Sequence, residues 1–245
     1  MSTFCLLAVL ITLWQVITVL FPIPPFILPS PIDIAKASFV NRGILFSNSL
    51  VTLWEILLGI GLALLIAIPS AVAMFRSGKL EKTMTPILVA SQAIPVFAIA
   101  PLLIIWFGYG IVSKVVMASV VIFFPITVSL LQGFKSCDKE YRDLFRIMGA
   151  DFRQTMKMLY WPWALPYFFG GLKVGVSVAT IGAVIGEWVG SQAGLGYLMI
   201  QSNARLKVDM VFASILWLTV MGLALWKLIG LMESKVLRWK NIKEE

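Results

Sequence analysis

The sequence predicts an all-α membrane protein with six transmembrane helices. Hydrophobic residues make up 60% of the 245 and charged residues only 13%, with a mean hydropathy of +0.93. A soluble domain carries roughly 25% charge. The apolar residues fall in blocks of about 20, long enough to cross a hydrocarbon layer of about 30 Å as helices. Lipid offers backbone groups no hydrogen-bond partner, so a spanning segment closes its bonds within itself. The runs also lack the residue-by-residue alternation of barrel strands.

The spans are expected at 4–21, 50–75, 86–107, 112–134, 167–189 and 210–232, within one membrane domain covering 1–245. The first lacks a basic leader and a small-residue cleavage site and is followed by Phe21-Pro22-Ile23-Pro24-Pro25. It therefore reads as a retained helix and not as a cleaved signal peptide. Residues 22–49 form an external connection, whose stretch Phe26-Ile27-Leu28-Pro29-Ser30-Pro31 suits the membrane interface. The second span contains Pro69, the third Pro95 and Pro101, the fourth Pro125. Membrane helices tolerate proline where neighbours re-satisfy the freed carbonyls, so these are either hinges beside a pathway or ordinary kinks.

The fifth span carries Gly171, Gly175, Ala179, Gly182, Ala183, Gly186 and Gly190 at helical spacing. Small residues on one helix face let helices approach closely. Gly175, Gly182 and Gly186 are the packing candidates, for contact within the subunit or across a dimer seam. Lys173, in the same span, sits near the expected cytoplasmic end and can snorkel to the interface.

Basic residues set the orientation. Of the 20 Lys and Arg, 14 lie at 76–82, 135–157 and 227–243. Lys36, Arg42, Lys114, Arg205 and Lys207 lie in the other loops. Both termini and the long 135–166 loop are accordingly expected in the cytoplasm. That loop is shorter than the ~40 residues that mark the floor for independent folding. The same bias accounts for the net charge of +8 without a nucleic-acid partner. Cys5 and Cys137 give no case for a disulfide or a metal site.

Several chemistries are excluded. With no histidine, His-based acid–base catalysis and His-ligated metals drop out. There is no G-x-x-x-x-G-K-[ST] loop to cradle nucleotide phosphates and no G-x-S-x-G elbow. No enzyme activity, cofactor or metal is expected. Glu55 and Glu187 are the only carboxylates within the spans, both toward the outer ends. A carboxylate in a membrane span is costly and so is a functional candidate. Glu187-Trp188 precedes Gly190-Ser191-Gln192-Ala193-Gly194-Leu195-Gly196-Tyr197. Glu187 is either a gate beside a flexible turn or, more simply, a helix-end carboxylate bonded to nearby backbone. Glu55, Gln92, Glu187 and Trp188 form the set of pathway or gate candidates.

The long loop is the main polar interlude. Phe145, Met148, Phe152, Met156 and Leu159 recur at steps of three and four, making one apolar helical face. Arg142, Arg146, Arg153 and Lys157 project elsewhere. Gly149 interrupts the pattern, which predicts two short helices meeting there with Asp151 capping the second. Such a surface either lies on the bilayer or fits a groove on another protein.

Here the residues resemble a family, the permeases of binding-protein-dependent ABC importers. Those carry a cytoplasmic E-A-A, then a glycine, then I-x-L-P. Asp143-Leu144-Phe145 stands at the E-A-A position, Gly149-Ala150 at the Gly-Ala, and Leu159-Tyr160-Trp161-Pro162 at the I-x-L-P. The Glu and both alanines are replaced, so the likeness rests on spacing, Gly149, Pro162 and topology. Leu28-Pro29-Ser30-Pro31, Pro101-Leu102, Trp106-Phe107-Gly108-Tyr109-Gly110 and Gly194-Leu195-Gly196-Tyr197 resemble the nitrate, sulfonate and taurine branch. Gly186-Glu187-Trp188-Val189-Gly190 with Asn203-Ala204-Arg205 is most similar to permeases for the thiamine pyrimidine precursor.

The resemblance implies a type I importer architecture in the bacterial inner membrane. It implies two permease copies, expected as a homodimer in lipid, that form the pathway. Separate ATP-binding subunits would each receive a coupling loop, and an extracytoplasmic solute-binding protein would deliver cargo. Asp143, Arg146, Gly149, Ala150, Asp151, Phe152 and Met156 are the implied ATPase contact. The alternatives are a self-contained secondary transporter or channel, which would need no ATPase, and an intramembrane enzyme, for which no nucleophile–base pair or carboxylate cluster is present.

Overall fold

The computed structural model describes residues 3–21 and 23–241. Pro22 of the proline segment and Lys243 of the basic tail lie outside the described residues. The described chain is helical: α1 (Thr3–Leu20), α2 (Pro31–Val40), α3 (Arg42–Arg76), α4 (Gly78–Ala93), α5 (Val96–Phe107), α6 (Ile111–Lys135), α7 (Lys139–Ile147), α8 (Phe152–Thr155), a π-helical turn (Met156–Tyr160), α9 (Trp161–Gly190), α10 (Leu195–Ala204), α11 (Val208–Val236) and α12 (Arg238–Asn241). Among the described residues four helices are long and apolar enough to cross a membrane: α3, α6, the continuous run Phe152–Gly190, and α11. The shorter apolar helix Cys5–Leu20 falls below that length.

The expected span 86–107 is not one helix. α4 and α5 meet at a bend of 99°. Pro95 explains the break: its ring disfavours helical backbone in the residue before it, and Ile94 is extended, with φ −76° and ψ 123°. Pro69, Pro101 and Pro125, by contrast, lie inside unbroken helices. The connection 22–49 also differs from the expectation. Ser30 caps α2 with a reciprocal bond to Asp33 and Pro31 fills the first helical position, where its missing N–H costs nothing. α3 then begins at Arg42, eight residues before the expected 50. The predicted loop around Lys79 and Lys82 is the first part of α4. Lys114 is not in a loop but in the first turn of α6.

The core is a bundle of α3, α6, α9 and α11, with Ile56, Ala63, Ala118, Ile122, Ile126, Val176, Ala179, Ala183 and Leu225 at its centre. In lipid, apolar surface gains little by moving from tails to protein, so close packing carries helix association. The small face of α9 meets α6: a Cβ on Gly171 would lie 2.7 Å from the Pro125 carbonyl oxygen, one on Gly175 3.0 Å from Ile122, one on Gly182 3.0 Å from the Ala118 backbone, and one on Gly186 3.2 Å from Lys114. Gly59 of α3 approaches Ala118 from the other side. These contacts are all within one subunit. Lys173 pairs with Glu233 of α11 and lies 5.4 Å from the Trp226 ring. Glu233, like Asp209 in the first turn of the same helix, is thus a carboxylate within a long apolar helix, outside the expected bounds of the last span.

Candidate functional site

Two clusters sit at opposite ends of the α3–α6–α9 bundle. The first is the hairpin between α6 and α9. α7 ends in a Schellman arrangement: the Ala150 amide donates to the Phe145 carbonyl at 3.0 Å and the Gly149 amide to that of Arg146 at 3.1 Å. The arrangement needs left-handed backbone at Gly149, which has φ +74°, a conformation that glycine adopts without steric cost. Asp151 caps α8 by accepting from the Gln154 amide at 2.7 Å, while the Gln154 side chain accepts from the Asp151 amide. Two short helices therefore meet at Gly149 with Asp151 as cap, in the geometry the spacing predicts.

The single apolar face does not survive the turn. Gly149 resets the helical phase, so Leu159 is buried and Met156 packs on the core near Phe134, while Met148 is 73% exposed. The apolar residues α7 turns outward are Tyr141, Leu144, Ile147 and Met148. Asp143, Arg146, Ala150 and Phe152 do gather, with Lys139, Arg142 and Tyr160, around one small basic hollow. Phe152 is held by Arg76, whose guanidinium lies 5.1 Å from the ring centroid. Tyr160 stacks edge-on against Phe75 at 4.7 Å, and Trp163 donates to the Ser136 hydroxyl at 3.2 Å. The hairpin is thus gripped by the ends of α3, α6 and α9. Arg76 was missed by sequence reasoning because it lies 76 residues upstream of its ring and nothing local marks the pairing.

The second cluster lies at the other end. Glu187 is buried and accepts from the Thr52 hydroxyl at 2.6 Å and from the Gly196 amide. Thr52 in turn accepts from the Leu195 amide at 2.9 Å, and Asn48 accepts from the Gly194 amide at 2.7 Å. Gly194 has φ +111°, and a Cβ there would collide with the Glu187 carboxylate. Glu55 lies beside Glu187, also buried, with Lys114 Nζ at 3.9 Å from its Oε1. Both side chains face the inside of the bundle, at 2% and 1% exposure.

Of the four pathway candidates, Glu55 and Trp188 line one recess of about 690 Å³, together with Tyr109, Lys114 and Tyr197. Glu187 lies behind it, occupied by its own hydrogen bonds. Gln92 is exposed near the end of α4 and does not line the recess. Asn48, Thr52 and Lys114 were missed. Asn48, Thr52 and Glu55 stand at steps of four and three, a polar stripe on an apolar helix that was visible as a pattern.

Residues 56–238 match the family described as binding-protein-dependent transport system inner membrane component. The chain belongs to this family. The permease is 43% identical over 221 residues to a probable ABC transporter permease protein of Haemophilus influenzae, covering 90% of each chain. It is 38% identical over 218 residues to the formylaminopyrimidine transport permease protein of Halalkalibacterium halodurans, covering 89% of this chain and 87% of that one. Its fold matches a chain of the inward-facing MetNI methionine ABC transporter with a TM-score of 0.68 at 18% identity, over 81% of this chain and 96% of the other. The architecture is therefore that of a type I importer, and the chain is an inner-membrane permease subunit of an ABC importer.

Proposed function

We propose that this permease moves a small polar organic solute or anion, of the pyrimidine, sulfonate, taurine or nitrate class, inward through a pathway built by two copies of the chain. The relative that carries formylaminopyrimidine supports the pyrimidine member of that set. In this reading the chain crosses the membrane six times, with α1 as the first crossing and α4–α5 as one bent crossing, and both termini are cytoplasmic. An extracytoplasmic binding protein delivers the solute, and separate ATP-binding subunits take the α7–α8 hairpin into a surface groove.

The observation that carries the coupling role is mechanical. α8, the π-helical turn and α9 form one uninterrupted run from Phe152 to Gly190, and only Ser136, Cys137 and Asp138 separate α6 from α7. A push on the hairpin is transmitted to α6 and α9, the most closely packed helix pair, rather than absorbed by a slack loop. Rigid elements with two arrangements are what carry energy between distant sites.

Glu55, Lys114 and Glu187 form a buried charged group that would also serve a secondary transporter driven by an ion gradient. Reconstitution separates the two. Vesicles holding the permease, its ATPase and its binding protein are expected to accumulate solute only with ATP. Uphill uptake by the permease alone would establish the secondary transporter instead.

A further inference from the structure

α4 buries only one of its residues, Leu88, and a hollow of about 280 Å³ runs between it, α3 and α6. The two ends of this hollow differ in chemistry. At the end nearer the α7–α8 hairpin, Glu81 of α4 meets Lys135 of α6 at 2.7 Å. Thr85 and Gln132 line it next to that pair, and the remaining walls are apolar, with Leu88, Val128 and Phe124 among them. Along α6 the lining extends from Lys135 to Phe124, about 16 Å of helix. That length is close to one leaflet of a hydrocarbon layer about 30 Å thick. The polar end is also basic. Lys135 is 52% exposed despite its ion pair, and Lys79 and Lys82 flank Glu81 in the first turns of α4. Neither of those two lysines has an ion pair among the described residues. Three ammonium groups therefore stand at this mouth against one carboxylate.

We propose that this hollow holds one acyl chain of an anionic phospholipid, with the lipid phosphate among Lys79, Lys82 and Lys135. The inference goes beyond the importer reading and depends on no particular cargo. Charge selects the headgroup, since basic pockets between membrane helices recognise anionic lipid heads. The polarity gradient selects the rest of the molecule. A soluble anion would meet the lysines and leave the apolar length unfilled, whereas a hydrocarbon would fill that length and leave the lysines unanswered. Volume excludes a protein segment: about 280 Å³ spread along α6 is a narrow slot, too thin for a helix about 10 Å across. The chain would give α4 the packing that its own residues do not provide. Close packing, not removal from water, is what holds helices together in lipid.

The test is native mass spectrometry of the permease–ATPase complex released from vesicles of phosphatidylglycerol and phosphatidylethanolamine with identical chains. The wild-type complex is expected to retain phosphatidylglycerol over phosphatidylethanolamine by at least about ten-fold. Lys82→Gln is expected to lower that preference about five-fold, the scale of one basic residue at a lipid surface. Val89→Trp fills the slot from α4 without touching a charge, at a side chain that is 58% exposed. It is expected to cut retained phosphatidylglycerol at least about ten-fold, through the apolar burial it denies the chain. On the wild-type complex, phosphatidylglycerol with hexanoyl chains is expected to be retained far less than with palmitoyl chains, and glycerol phosphate is expected not to displace it. Equal retention of the two headgroups, or a preference indifferent to Lys82→Gln, overturns the proposal. Undiminished retention in Val89→Trp shows a general attraction of the basic surface and overturns it as well. If Val89→Trp is not recovered, the chain-length comparison decides: indifference to chain length, or displacement by glycerol phosphate, shows an anion site without a slot. A Val89→Trp complex that separates into single permease copies shows that the slot seats the second copy instead.

Discussion

The Thr52 hydroxyl donates to Glu187 Oε1 across 2.6 Å, binding the first half of α3 to the end of α9. The same oxygen of Thr52 receives the Leu195 amide, so one small side chain joins α3, α9 and the start of α10. Thr52→Val keeps the shape but removes both bonds and leaves a buried carboxylate oxygen without its donor. A hydrogen bond to a charged group is worth about 1.5–3 kcal/mol. The variant is expected to unfold several degrees lower in a detergent thermal melt, and an unchanged melting temperature would show that the bond carries little of the stability.

Two glycine substitutions should move in opposite directions. Gly194→Ala places a methyl group into the Glu187 carboxylate at φ +111°, adding a steric clash to a left-handed strain of about 1–2 kcal/mol. It is expected to abolish folded protein in size-exclusion profiles. Gly61 lies within α3 with open space around it, so Gly61→Ala is expected to raise stability by about 0.5–1 kcal/mol. Equal behaviour of the two variants would contradict the packing around Glu187.

The hairpin is expected to transmit force only while its turn is intact. Gly149→Ala strains a φ of +74° by about 1–2 kcal/mol and should tilt α7 away from its present angle. Phe152→Ala removes the ring beneath Arg76. Both are expected to cut ATP-driven uptake at least ten-fold while the permease still reaches the membrane. Met156→Ala should lower stability as well as uptake, since Met156 packs on the core. Normal uptake by Phe152→Ala would remove the hairpin from the coupling role.

Burial pushes the Cys137 thiol above its ordinary pKa, and the nearby Arg142 offsets this only in part. The thiolate is the reactive form, so maleimide labelling of Cys137 at neutral pH is expected to be slow and to accelerate with alkali. The linkage has a definite sign. Below the ordinary thiol range the folded and unfolded chains bind the same proton. As pH rises through that range the unfolded chain ionises first, and stability falls until the folded thiol also ionises. Rapid labelling of native Cys137 at pH 7 would refute its burial.

Much of this arrangement was visible in one dimension. Length and hydropathy mark α3, α6, α9 and α11, because spanning lipid demands an uninterrupted apolar helix. The capped turn at Gly149 and Asp151 was equally legible, since caps and left-handed turns depend on residues a few positions apart. Pro95 was visible, yet Pro69, Pro101 and Pro125 look the same in sequence. Only the packing around each proline separates a 99° break from a continuous helix.

The apolar runs, the basic bias of particular loops and the local caps were therefore decided by the chain's own order, because lipid, charge and neighbouring backbone act on each segment separately. The pairing of Glu55 with Lys114, of Thr52 with Glu187 and of Arg76 with Phe152 was decided by the assembled bundle. Their partners lie 59, 135 and 76 residues apart, and a buried charge finds its counterpart only when the small face of α9 has closed against α6.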